Sequence, residues 1–183
     1  MANGLFDPSS IYNFLAQNNY LPKIVTANLN QGTSGSYAPG NIVKLSPNLQ
    51  NYTEDAQQRT LAHEMTHSAQ SLMADKAYEL STSYFLSPEE KQFLKAYQEF
   101  RTQPLLQEQD KEDKYRTGAN ERGAFGVGNM SVPIPADYAT RKHVDPTEAT
   151  QFDILMGLYK NSLPRQPQIE NLKYQDPFKS TIK

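Results

Sequence analysis

The apolar positions of this chain change period several times, and each change marks an element. Behind Asp7-Pro8, Ile11, Phe14 and Leu15 recur at the three- and four-residue spacing of one helix face. Asp caps free backbone N–H groups and Pro suits the first helical position, so a helix opens here and ends near Asn18 and Asn19. The segments KIVTANL (23–29) and NIVKLS (41–46) are short and β-prone. In the second, Ile42, Lys44 and Ser46 alternate with Val43 and Leu45, the two-residue period of a strand. With the polar, glycine-bearing stretch NQGTSGSYAPG between them, the two segments predict a hairpin.

Helical spacing then returns. Asn51 and Glu54 have the spacing of a capping box, from which a helix runs through about Tyr78. Leu61, Met65, Ser68 and Leu72 form one stripe, and the small or apolar residues on most other sides of LAHEMTHSAQSLM predict burial on several faces. Ser87-Pro88-Glu89-Glu90 is a second capping box, followed by Phe93, Leu94, Tyr97 and Phe100 and closed by Pro104. Residues 106–116 are strongly charged and read as solvated. A short helix is predicted around Asn120 to Phe125, with Gly118, Gly123, Gly126 and Gly128 keeping it short. Asp145-Pro146-Thr147-Glu148 starts a last helix that carries Phe152, Leu155, Met156 and Tyr159 on one face. After Pro164 the chain is Pro-rich and polar, the composition of an extended arm. The pattern therefore predicts an α+β, helix-rich domain over residues 1–163, with a short β-hairpin or small sheet, and a C-terminal arm over 164–183.

Composition narrows the function classes. A chain of 183 residues suits one domain, and 37% apolar residues allow a core of modest size. The net charge of −2, with both signs mixed along the chain, argues against a general nucleic-acid binder and against a polybasic membrane patch. Cysteine is absent, so any metal must be held by His, Asp or Glu. The N-terminus has no basic region followed by an apolar run, and no stretch is long enough to span a bilayer. The expectation is a chain made in the cytoplasm, with incorporation into a virion or other assembly as its route outward.

The candidate chemistry sits in TLAHEMTHSAQ, residues 60–70. His63 and His67 are four apart, so on a helix they project from one face, about 200° round from Leu61. Two imidazoles so placed can reach one zinc ion. Glu64 lies about 100° further round, in reach of a water on that zinc, from which a carboxylate can take a proton at neutral pH. The plain alternative is a pair of buried histidines satisfied by hydrogen bonds. A catalytic zinc needs a third protein ligand. Glu121, at the start of the short helix and sharing a face with Phe125, is the best candidate. Glu148 is its rival, although a capping box explains that residue without metal, and His143 is the one other histidine.

Taken together, GSYAPGNIVKLSP, TLAHEMTHSAQ and NERGAFGVGN resemble the gluzincin branch of zinc metallopeptidases in its minimal form, over roughly residues 35–128. The resemblance implies that His63, His67 and Glu121 bind Zn2+, that Glu64 is the general base, and that residues 41–46 are an edge strand flanking the zinc helix and pairing with a peptide or protein substrate. Gluzincins usually add a Tyr or His that stabilises the oxyanion. Tyr138 and His143 are the candidates here, with Tyr115 behind them, and no spacing decides among them. The expected function is a zinc-dependent peptidase acting through a zinc-bound water activated by Glu64. The alternative is a structural or assembly component, for example of a phage virion, that keeps the fold with little or no catalysis and lays its arm across a partner. A third reading places the arm in the cleft as an autoinhibitor.

Overall fold

In the computed structural model, residues 8–102, Ala124 and residues 146–163 are described. Helix α1 (Pro8–Gln17) buries Ile11, Phe14 and Leu15 as their spacing predicts. Its end is a Schellman motif built on Asn19, at φ 52. The Tyr20 N–H donates to the Leu15 carbonyl (2.8 Å) and the Asn19 N–H to the Ala16 carbonyl (3.0 Å), satisfying carbonyls the helix leaves over.

The sheet differs from the predicted hairpin. Strands β1 (Lys23–Thr26) and β3 (Ile42–Leu45) are neighbours, but they run parallel. The polar stretch between them holds a third strand, β2 (Gly35–Ala38), antiparallel to β3. The order is β1-β3-β2, so the 41–46 segment is the central strand and not an edge. The chain reverses at Pro39-Gly40-Asn41, where Gly40 has φ 82 and Asn41 φ 59. Pro followed by Gly is the sequence of a type II turn, and it joins β2 to β3. Val43 and Leu45 point into the core from this central strand.

A 3-10 turn (Pro47–Asn51) follows, with the Ser46 hydroxyl accepting from the Asn48 N–H. Asn51 ends this turn and does not cap the long helix. The cap of α2 (Glu54–Ser81) is Thr53, whose hydroxyl accepts from the Ala56 N–H at 3.3 Å, with Glu54 and Asp55 favourably placed in the first turn.

At 28 residues, α2 is the longest element among those described, and it packs against α1, β2, β3 and a third helix. Leu61, Met65, Ala69 and Met73 are buried on it, and so are Glu64, Thr66, Ser68 and Gln70, so burial does run round several faces. Helix α3 (Pro88–Thr102) opens with the predicted reciprocal box: the Ser87 N–H donates to Glu90 (2.9 Å) and the Glu90 N–H to Ser87 Oγ (3.1 Å). Helix α4 (Pro146–Asn161) packs on α3. Its Tyr159 meets Phe14 of α1 edge-on at 5.3 Å and Phe93 of α3 at 5.5 Å, which joins three helices in one aromatic contact. Burial pushes the Tyr159 hydroxyl up to about 12, so it stays neutral through the physiological range.

These four helices and the three-stranded mixed sheet make the α+β class that the sequence predicts. No helix among the described residues is long and apolar enough to cross a membrane. The proposed arm, residues 164–183, lies outside the described residues.

Candidate metal centre

The site is built on the first half of α2, where the helix passes under β2. His63 and His67, one turn apart, bring their Nε2 atoms to 3.2 Å, with the rings edge-to-face at 4.9 Å between centroids. One carboxylate oxygen of Glu64 completes a group of three donor atoms, all within 4.8 Å of one another. Both histidines are half-buried, while Glu64 is only 5% exposed. A buried carboxylate so close to two imidazoles is costly unless its charge is used or compensated.

Strand β2 supplies the roof, and one residue of it fits closely. A Cβ on Gly35 would stand 2.9 Å from Cγ and from Oε1 of Glu64, and 2.9 Å from Cγ2 of Thr60. Thr60 cannot easily turn away, because its hydroxyl donates to the Ala56 carbonyl at 2.9 Å and so fixes its rotamer. Glycine is what lets the strand lie directly on the Glu64 carboxylate. We expect Gly35→Ala to destabilise the fold by roughly 1–3 kcal/mol, the usual cost of overpacking. Adding Thr60→Ser, which removes the opposing methyl, should recover part of that loss in urea denaturation. Equal stability of Gly35→Ala and the parent would show that the strand has room to move.

Two residues further along β2, Tyr37 stands 6.3 Å from His67, ring to ring. Its hydroxyl is turned to the hairpin turn, 3.5 Å from Asn41 Oδ1. Burial pushes it up from the ordinary tyrosine value, while a hydrogen bond with Ser71 works the other way.

Asn41 is a junction. Its Oδ1 also accepts from the Ser68 hydroxyl of α2 (2.5 Å), its Nδ2 donates to the Tyr20 carbonyl (2.9 Å), and its own carbonyl accepts from the Lys23 N–H (3.0 Å). This residue ties α1, β1 and the β2–β3 turn to the helix that carries the histidines.

Gln70 was no part of the sequence-predicted site. It is buried, and its Oε1 lies 2.9 Å from Nδ1 of His67. The signal was available in the spacing, since a Gln three residues after His67 shares its helix face.

Of the residues expected at the site, the structure brings His63, Glu64 and His67 together. Glu121, Tyr138 and His143 lie outside the described residues, as does Tyr115. Ala124, in the predicted short helix, is helical and fully buried. Glu148 falls in the first turn of α4.

The strand expected to receive a peptide needs correction. Within 41–46, residues 42–45 pair on both sides, because Val43 and Leu45 draw that strand into the centre of the sheet. Among the described residues, the edge strand that flanks the histidine helix is β2. Compared with known proteins, the chain matches no family model, no curated protein and no solved structure.

Proposed function

We propose that the protein is a zinc-dependent peptidase of the minimal gluzincin kind, centred on His63, Glu64 and His67. The separation of the two imidazole nitrogens carries the reading. Zinc–nitrogen bonds of 2.0–2.1 Å at the tetrahedral angle put two ligand atoms about 3.3 Å apart. His63 and His67 hold their Nε2 atoms at 3.2 Å, a separation that a hydrogen bond between the rings also has, and the Glu64 oxygen within 4.8 Å of both supplies the third donor that a hydrogen-bonded pair does not need. The donor set, two imidazoles and carboxylates with no thiolate, suits that metal.

In this reading His63 and His67 hold the ion and Glu121 is the third ligand, as the family resemblance implies. The ion, when bound, supplies Lewis acidity toward water and toward a substrate carbonyl. Glu64 takes a proton from the attacking water and returns it to the leaving amine. Tyr138 or His143 would donate to the developing oxyanion. An extended peptide pairs with the outer edge of β2, where Gly35 brings the strand onto Glu64.

A second reading, an assembly component with little or no catalysis, draws on the α2–α3 connection. Tyr84 and Phe85 are 97% and 93% exposed there, large aromatic surfaces with the character of contact residues.

One measurement separates the two. Mass spectrometry of protein purified without added metal should find about one zinc per chain, and His67→Ala should lose it. No zinc in the parent, even after supplementation and dialysis, would overturn the peptidase and leave the assembly reading.

A further inference from the structure

We propose that Gln70 is the positioning residue of this metal centre: its amide oxygen holds His67 in one tautomer and one ring orientation, with Nε2 turned to the metal. The inference rests on the metal-binding reading above and deepens it. Gln70 lies one helical turn beyond His67 on α2, 5% exposed, with Oε1 2.9 Å from Nδ1 of His67. A carbonyl oxygen only accepts, so Nδ1 of His67 carries the proton and donates it. A neutral imidazole protonated on Nδ1 has its lone pair on Nε2. That is the atom lying 3.2 Å from Nε2 of His63.

Metal-ligating histidines generally donate their second ring N–H to an acceptor, commonly a carboxylate, a backbone carbonyl or water. Here the acceptor is a side-chain amide from the same helix. The arrangement has two physical consequences. Both partners ride on one rigid element, three residues apart, so no loop has to close to orient the ligand. Burial also makes the bond hard to give up, because a buried amide oxygen or ring N–H without a partner costs about 1–3 kcal/mol. His67 is thus held ready for the ion before any ion arrives.

The test uses the full chain, zinc and two variants. Gln70→Leu keeps nearly the same volume and removes the acceptor, while Gln70→Glu keeps the acceptor. Zinc dissociation constants are read by competition with a chromophoric chelator. Gln70→Leu should bind zinc about 10- to 100-fold more weakly than the parent, and Gln70→Glu should return to within about threefold of it. A residue that served only packing would give the opposite order, because leucine preserves the volume and a buried carboxylate disturbs it.

A second measurement needs no variant. Nitrogen-15 spectra of the metal-free parent, at a pH where imidazoles are neutral, should show His67 protonated on Nδ1. Protonation on Nε2 instead would overturn the inference. So would a parent that binds zinc alongside a Gln70→Leu variant that binds it equally well, a result that leaves the metal centre standing. A parent that binds no zinc removes the metal centre itself.

Discussion

Replacing Glu64 by Gln is expected to leave the metal in place and lower peptide turnover by roughly 100- to 10,000-fold, the range that general acid–base catalysis contributes. Glutamine has nearly the shape of glutamate, so it should fill the same space between α2 and Gly35. It lacks the basic carboxylate, and an amide oxygen does not take a proton from water near neutral pH. The two imidazoles, which would hold the ion, are untouched. The check is paired: zinc content on one aliquot and cleavage of a mixed peptide library, read by mass spectrometry, on another. Cleavage at the parent rate would end the proposed mechanism. Loss of zinc along with activity would make Glu64 a ligand and not the base.

The second large effect is on the frame that holds the site. Asn41→Ala should destabilise the protein by about 3 kcal/mol, from two sources. Asn41 sits at φ 59, a left-handed conformation that costs an ordinary side chain about 1–2 kcal/mol and that Asn tolerates better. Its side chain also satisfies the Ser68 hydroxyl, on a residue with no exposure, and the Tyr20 carbonyl. Leaving such groups without a partner costs about 1–3 kcal/mol. For a chain of this size the melting midpoint should fall by roughly 6–12 °C. Asn41→Gly accepts the backbone angle but makes none of the hydrogen bonds, so it should be less damaging than Ala. Equal loss in the two variants would remove the backbone contribution, and no loss in either would mean that the junction holds nothing together.

Four of the recognisable features were local, and local features were legible. The Ser87–Glu90 capping box is a bond pattern between residues three apart, and both of its hydrogen bonds are formed. Ile11, Phe14 and Leu15, and likewise Phe152, Leu155, Met156 and Tyr159, need only a helix and a core to be buried together. The spacing of His63, Glu64 and His67 needs only a helix to bring three donors into one group. Where a neighbouring motif competes, spacing alone misleads: Asn51 has the spacing of a cap, but it ends the turn that Ser46-Pro47 opens, and Thr53 caps the helix. Gln70, three residues from His67, is legible in the same spacing, but its residue type is not that of a metal ligand.

The helices, the faces they bury and the grouping on one turn of α2 of three donors that could hold a metal were all legible in the spacing of the residues. These depend on residues a few positions apart, and the helix repeat sets their separation whatever the rest of the chain does. Which strand lies at the centre was left to long-range packing. A four-residue strand carries too little pattern to choose between parallel and antiparallel partners. That choice fell to the Pro39-Gly40-Asn41 turn and to the burial of Val43 and Leu45. Tertiary packing also decided that β2, and not the 41–46 segment, runs beside the histidines, and that Gly35 closes onto Glu64. Those contacts join residues far apart in the chain, and no local periodicity encodes them.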